Sequence, residues 1–371
     1  MTISINNPLL ATYIFEIIFV VALLISIRRR EGNDFFPASV TQELKGLAIL
    51  AVVFSHIGYF LVTDHRFLYP ISTVAGVGVN LFLFLSGYGL MISSLKKQYS
   101  VWQFYRHRLL KLFIPFWLAL IVFFLLDSLF LKINYSWNYI GEALLGLFTH
   151  ADLYQDVNSP LWYFTLILFY YLVFPLVFLR KYPWLSAGII YLITYFILDI
   201  NPDRLIYVVH LYKIHLIAFP LGMFIAGLAS QKKISAYLEL GKNKIANANR
   251  KIFKTIFYYF SLAVLIILVG YTLYFPGIGQ EPLTEELTSI AAVLALILIF
   301  SMKKFDIKLL YWFGFYSYEI YLFHWPLLYR YDLFFKFLPA WFALVIYLAF
   351  FLALGWGLRK ISDRAAEKVS V

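Results

Sequence analysis

The sequence predicts an all-α, polytopic membrane protein with about eleven transmembrane helices. Three observations support this fold class: 62% of the 371 residues are hydrophobic, only 14% are charged, and the mean hydropathy is +0.79. A soluble domain is typically about one quarter charged. Aromatic residues make up 20% of the chain, too many for a disordered or fibrous protein. The absence of cysteine excludes disulfides, thiolate metal sites and cysteine nucleophiles.

Eleven mainly apolar segments come close to the roughly 20 residues that a helix needs to cross a bilayer. In chain order they are Pro8–Ile27, Leu44–Val62, Val74–Ser93, Leu112–Leu131, Leu161–Leu179, Trp184–Leu198, Ile206–Ala229, Phe253–Phe275, Leu287–Met302, Leu309–Leu328 and Ala340–Leu358. We therefore expect an extra N-terminal helix with a basic loop over residues 1–43. A membrane domain over residues 44–358 and a short cytoplasmic tail over residues 359–371 complete the predicted organisation.

The basic residues fall on one side of these predicted helices. Of the 31 lysines and arginines, 25 lie in the alternate loops that follow the first, third, fifth, seventh, ninth and eleventh segments. Positively charged loops stay in the cytoplasm, so we predict an outer N-terminus and a cytoplasmic C-terminus. The net charge of +11 follows from this topology and does not indicate a nucleic-acid partner. The longest basic loop, about Ser230–Ile252, is expected to lie against anionic lipid headgroups.

The second segment carries a lysine and a histidine at a helical spacing. Lys45 and His56 are eleven residues apart, which is about 16 Å along a helix and nearly three full turns. Both side chains therefore share one helix face, with Lys45 at the cytoplasmic surface and His56 near the middle of the membrane. Ionisable residues inside a membrane usually line a cavity or pathway, and a neutral imidazole is suited to be a general base. The alternative is a histidine that merely hydrogen-bonds a neighbouring helix.

Further sequence blocks follow this Lys-x10-His pattern in a fixed order. They are GVGVNLFLFLSGYGL (Gly76–Leu90), FYRHRLLKLFIPFW (Phe104–Trp117), LWYFTLILFYYLVFPL (Leu161–Leu176) and SYEIYLFHWP (Ser317–Pro326). Together they resemble the acyltransferase-3 family of integral-membrane O-acyltransferases over about Leu44–Leu358. Many relatives carry a glutamate after the LWxL element, whereas this chain has Ile167 and Leu168 there. It departs again at Lys111, which replaces the second arginine of an RxxR element, and we expect no esterase-like domain after the last helix.

The resemblance implies transfer of an acyl group, most simply acetyl, from acyl-CoA to a hydroxyl of a cell-surface or lipid-linked glycan in a bacterial cell membrane. It implies acetyl-CoA as co-substrate and no metal. The implied catalytic residue is His56. Glu319 is the second catalytic candidate, because a buried carboxylate in a membrane span is expected to pair with something, and orienting His56 is one option for it. The implied coenzyme-binding residues are Lys45, Arg106, Arg108 and Lys111, and the implied acceptor-binding residues are Trp162, Ser317, Tyr321 and His324.

The same residues also allow different interpretations. The basic cluster follows from the positive-inside rule alone, and Ser317, Tyr321 and His324, which form one polar stripe at i, i+4 and i+7, would also suit interhelical packing. The first rival function is a small-molecule transporter that uses the buried polar residues, although we find neither an inverted repeat nor paired broken helices. The second is a non-catalytic scaffold for glycan assembly. The sequence predicts no oligomeric state.

Overall fold

The computed structural model describes residues 3–30, 36–153, 155–230, 251–272 and 282–370, and most of the predicted basic loop Ser230–Ile252 lies outside them. Most of the described residues are helical and very few lie in strands, which confirms the all-α prediction. Its α-helices are α1 (Pro8–Ile25), α2 (Ala38–Ser55), α3 (Ala75–Lys96), α4 (Val101–Leu126), α5 (Trp137–Leu144), α6 (Trp162–Val177), α7 (Pro183–Asp199), α8 (Val209–Lys213), α9 (Ala218–Ala229), α10 (Lys251–Thr272), α11 (Pro282–Met302), α12 (Lys308–Phe315), α13 (Ser317–Pro326) and α14 (Ala340–Ser370). Two short strands, β1 (Ile27–Arg29) and β2 (Phe305–Ile307), pair antiparallel.

Eight helical segments in the described part of the chain are long and apolar enough to cross a membrane, which confirms a polytopic membrane protein. They are Pro8–Ile25, Ala38–Leu61, Ala75–Lys96, Val101–Leu131, Ser159–Val177, Val209–Ala229, Pro282–Met302 and Ala340–Glu367. Two shorter apolar helices, Pro183–Asp199 and Thr255–Gly270, add to them. Each of the eleven predicted segments therefore overlaps a helix or a pair of helices. The last one extends beyond the predicted end, because α14 continues as a helix to Ser370.

One predicted span is interrupted in the described part of the chain, and another contains a single irregular residue. The seventh breaks between Lys213, where α8 ends, and Ala218, where α9 begins, and the tenth is divided at Tyr316 into α12 and α13. The helical hydrogen bonds continue across Tyr316, because its N–H donates to the Trp312 carbonyl oxygen at 3.1 Å and its own carbonyl oxygen accepts from Ile320 at 2.9 Å. At the break between α8 and α9 the N–H of Ile217 donates to Glu286 Oε1 at 2.7 Å. The Glu286 side chain, from another helix, therefore supplies the hydrogen-bond acceptor that the interior of a membrane lacks.

Helix α2 lies at the centre of the bundle and makes an unusually close approach to α12. A Cβ atom on Gly46 would collide with the carbonyl oxygen of Leu310, and one on Gly314 would collide with that of Gln42. Small residues let membrane helices approach backbone to backbone. This contact fixes α2, and with it the Lys45–His56 face, against the helix pair that continues into the SYEIYLFHWP block.

A buried ionic cluster joins the N-terminal helix to the rest of the bundle. Glu43 is fully buried and accepts from Lys303 Nζ at 2.6 Å, while its second oxygen accepts from the backbone N–H of Ile307. Arg30, just after β1, pairs with Asp306 of β2 at 2.7 Å. Both strands lie in loops that the sequence assigns to the basic side. Their pairing agrees with that assignment and anchors α1 to the membrane domain.

A second network braces the opposite side of the membrane. Asp127 is fully buried, accepts from the hydroxyls of Tyr135 and Tyr331, and forms an ion pair with Arg330. Arg330 also donates to the backbone carbonyl of Asp156, in the long loop between α5 and α6. Burial and the Asp127 carboxylate raise the pKa of Tyr135, so the phenol stays protonated as a donor. The brace holds in place a loop that borders the cavity described next.

Candidate active site

A cavity of about 720 Å³ lies inside the bundle and brings most of the predicted site residues together. Seven of the ten border it: Lys45, His56, Arg108, Lys111, Trp162, Ser317 and Tyr321. Lys45 and His56 therefore do look into one space, as their shared helix face predicts. His150, Asp152, Tyr207 and His210 line the part formed by the loop after α5 and by the region around α8. The cavity thus extends from the basic side of the bundle to the opposite side.

The basic end of the cavity is formed by three cations from two helices. Lys45 comes from the third turn of α2, and Arg108 and Lys111 come from α4. Helix α4 starts at a capping box, in which Ser100 Oγ accepts from the N–H of Gln103 and the Gln103 side chain accepts in return, and this fixes where its cations lie. Arg108 Nη2 donates to the Ser93 hydroxyl at 2.7 Å. Among the described residues, no ion pair joins these three cations to a carboxylate.

His56 lies where the regular geometry of α2 changes. The helix ends at Ser55 and continues over His56–Leu61 as a wider π-helical turn. Single π-turns of this kind often occur at functional sites. The His56 ring lies parallel to the ring of His324 from α13, with His56 Nδ1 2.8 Å from His324 Nε2. Trp325 covers another side of His56, with ring centroids 4.9 Å apart.

The hydrogen bonds of this pair determine which nitrogen of His56 is available. His324 Nδ1 lies 3.1 Å from the carbonyl oxygen of Ile320 and 3.0 Å from that of Tyr321. A carbonyl can only accept, so His324 Nδ1 carries the proton and its Nε2 is the acceptor in a neutral ring. His56 Nδ1 must then donate to His324 Nε2. The nitrogen that remains on His56, Nε2, is unprotonated and is therefore a base.

The remaining three predicted residues do not border the cavity. Glu319 was expected to orient His56, but the structure gives that place to His324, which was expected to bind the acceptor. Glu319 is 5% exposed, and its Oε2 has no hydrogen-bond partner in the described part of the chain. Arg106 was expected to join the coenzyme-binding cations, but it is exposed and does not border the cavity that Arg108 lines.

Aromatic side chains form much of the cavity wall between the basic end and the far side. Tyr163 meets Tyr321 edge to face at 5.6 Å between centroids, and Trp162 precedes Tyr163 at the start of α6. The Tyr321 hydroxyl donates to the carbonyl oxygen of Pro160 at 2.9 Å, which fixes its ring. A largely apolar and aromatic cavity with a small number of polar groups is the usual form of a small-molecule site.

The comparison with known families agrees with this geometry. The Acyl_transf_3 family model, described as an acyltransferase domain, matches residues 44–360. The chain belongs to this acyltransferase family. No curated protein and no solved structure matches it. The match runs from α2 into α14, and it therefore includes every residue that borders the cavity.

One pair in this acyltransferase received no role from the sequence. His210 and His215 are five residues apart and would lie on different faces of one continuous helix, but the interruption after α8 lets both border the cavity. Asn80, in the GVGVNLFLFLSGYGL block of α3, has its Oδ1 2.8 Å from Nδ1 of His215. The signal in the sequence was the polar Asn80 itself, within an otherwise apolar run of α3.

Among the described residues no group of three or more His, Asp or Glu side chains is arranged to hold a metal ion.

Proposed function

We propose that this membrane acyltransferase moves an acetyl group from acetyl-CoA to a hydroxyl of a cell-surface or lipid-linked glycan, with His56 as general base. One observation carries the proposal. The same cavity is bordered by a group of cations at one end and, deeper inside, by His56, whose Nε2 is unprotonated. The resemblance to O-acyltransferases of bacterial surface sugars supports the acceptor class and a bacterial cell membrane.

The basic end suits the donor. Coenzyme A carries phosphates and is made in the cytoplasm, which is the side that the basic loops predict for this end. Arg108 and Lys45 would bind phosphate oxygens by charge-assisted hydrogen bonds, and Lys111 would add a point charge. The pantetheine arm would then extend along the aromatic wall, which would place the thioester beside His56. Ser317 and Tyr321 border this path.

The chemistry requires one proton transfer and one exchange of bonds. His56 Nε2 takes the proton of the acceptor hydroxyl, and the oxygen attacks the thioester carbonyl carbon. A C–O bond forms and the C–S bond breaks, so the acetyl ester and the thiolate of coenzyme A result. The thiolate then takes the proton from His56 and leaves as the thiol. His324 holds His56 in the tautomer that this sequence needs and stabilises the imidazolium by accepting from Nδ1.

Transport is the second candidate, because an interrupted helix borders the cavity. The break between α8 and α9 is of the type that forms substrate sites in secondary transporters. A transporter would move its substrate without consuming acetyl-CoA. The two functions therefore differ in one measurable requirement.

The experiment uses the purified protein in lipid nanodiscs. Acetyl-CoA binding and its slow hydrolysis to acetate and coenzyme A are compared for the wild type, Arg108→Ala and His56→Ala. We expect Arg108→Ala to lose binding and His56→Ala to bind acetyl-CoA without turnover. His65→Ala is the matched control, because this exposed histidine on the far side does not border the cavity.

Each outcome separates the candidates. Hydrolysis that survives His56→Ala would exclude the mechanism. A wild-type protein that ignores acetyl-CoA would exclude the transferase and favour transport. Tolerance of both substitutions with an intact fold would leave the role of a non-catalytic scaffold.

A further inference from the structure

The interruption between α8 and α9 brings a second histidine into the cavity wall. His215 lies in the break, is 3% exposed, and borders the same cavity as His56. Glu286 of α11 stabilises the break by accepting from the Ile217 N–H. An irregular backbone segment inside a membrane bundle is tolerated where it lines a cavity and where neighbouring helices satisfy its polar groups. Both conditions are met here.

The His215 ring is fixed by a relay of buried polar side chains. Its Nδ1 lies 2.8 Å from Asn80 Oδ1, and Asn80 Nδ2 donates to the Ser289 hydroxyl at 2.8 Å. Asn80 is fully buried. With the Asn80 oxygen facing the imidazole, Nδ1 of a neutral His215 carries the proton and Nε2 is left as an acceptor. Trp162 packs parallel to the imidazole, with ring centroids 5.7 Å apart.

The position of this pair in the helices places it on the side opposite the basic loops. Asn80 lies in the second turn of α3 and Ser289 about 10 Å from the start of α11, and both helices start on that side. Trp162 is the first residue of α6, which starts there as well. The His215 site therefore lies at the end of the cavity away from Lys45 and Arg108, which the proposed function assigns to the donor.

We propose that His215 and Trp162 form a binding subsite for the acceptor, in which His215 Nε2 accepts a hydrogen bond from a sugar hydroxyl. This subsite rests on the proposed function and adds to it a second histidine with a role different from that of His56. His56 removes the proton of the reacting hydroxyl, whereas His215 holds a neighbouring hydroxyl of the same sugar. The indole of Trp162 supplies an apolar surface for the sugar ring.

The test measures how acetyl groups divide between two products. Enzyme in nanodiscs receives radiolabelled acetyl-CoA and methyl β-D-glucopyranoside, and labelled sugar ester and labelled acetate are counted separately. The ratio of ester to acetate is independent of the fraction of folded enzyme. We expect His215→Ala to lower this ratio about tenfold, the effect of one net hydrogen bond, through a higher KM for the glucoside. His215→Gln, whose amide oxygen reaches about as far as Nε2, should recover part of the loss.

The outcomes distinguish this subsite from the proposed function. His65→Ala is the control and should keep the wild-type ratio. If His215→Ala keeps that ratio, the subsite is wrong while the acyltransferase stands. A wild type that hydrolyses acetyl-CoA but forms no ester with the glucoside would also overturn the subsite. A wild type that does not consume acetyl-CoA would refute the proposed function, and the subsite with it.

Discussion

Replacing His324 with leucine should impair turnover without removing the base. Leucine cannot accept from His56 Nδ1, which now donates to His324 Nε2 at 2.8 Å. A hydrogen bond of this kind contributes about 1–1.5 kcal/mol net, and an unsatisfied buried N–H costs about 1–3 kcal/mol. The fraction of His56 in the productive tautomer and orientation therefore falls by about tenfold to hundredfold. We expect kcat to fall by that factor, compared with about 10²–10⁴ for loss of the general base in His56→Ala.

The assay is acetyl-CoA hydrolysis in nanodiscs, with acetyl-CoA affinity measured separately on the same preparations. His324→Gln is the informative companion variant, because its amide oxygen reaches about as far as Nε2 of the imidazole and can accept from His56 Nδ1. A tautomer-fixing role predicts that glutamine recovers much of the turnover that leucine loses. A purely structural role of His324 predicts equal damage by both, together with a lowered unfolding temperature.

Two results would refute this reasoning. Full turnover in His324→Leu would show that the bond between the two rings is dispensable. Loss of acetyl-CoA affinity in His324→Leu would show that His324 acts on donor binding and not through the His56 ring. Only reduced kcat with retained affinity, and recovery by His324→Gln, agrees with a positioning residue.

Three further predictions test separate parts of the structure. Arg108→Ala should weaken acetyl-CoA binding about tenfold to hundredfold in equilibrium titrations because a charge-assisted contact is lost, whereas Arg106→Ala, outside the cavity, should change it less than about twofold. Gly314→Ala should lower the unfolding temperature sharply because its Cβ meets a backbone carbonyl of α2. Gly89→Ala, with open space around it, should be neutral or stabilising by about 0.5–1 kcal/mol. Glu43→Ala should destabilise the fold by about 3–5 kcal/mol, seen in denaturant titrations, because it leaves a buried ammonium unpaired.

The number and order of the helices could be predicted because hydropathy is a local property of the chain. Each apolar segment of roughly 20 residues must form a helix in lipid, whatever its neighbours are. The limits of this reasoning appear at α8–α9. Nothing in the run Ile206–Ala229 reveals that the N–H of Ile217 finds an acceptor in Glu286, which lies 69 residues further along the chain. Helix breaks in a membrane depend on such distant partners.

The candidate site was likewise only partly predictable from the sequence. Lys45 and His56 could be found because helical periodicity places them on one face, and the structure shows both beside the cavity. The partner of His56 could not, because His324 is 268 residues away and only the packing of α13 on α2 brings the rings together. Glu319 was chosen as that partner because a buried carboxylate needs a role. Glu319 lies on a different face of α13 from His324, so His324 and not Glu319 contacts the His56 ring.

Irregular backbone occurs at the cavity. The π-turn at His56 and the break beside His215 border it, and the irregular residue Tyr316 adjoins Ser317, which does. A further π-turn, Asp127–Leu131, belongs to the Asp127–Arg330 network instead. In a transporter, such segments would have to rearrange as access alternates. Here the His324 ring is tied to two carbonyls of its own helix, and His215 is tied to Asn80 and Ser289. Two imidazoles held in defined orientations suit a preorganised catalytic site, which agrees with the acyltransferase family to which the chain belongs.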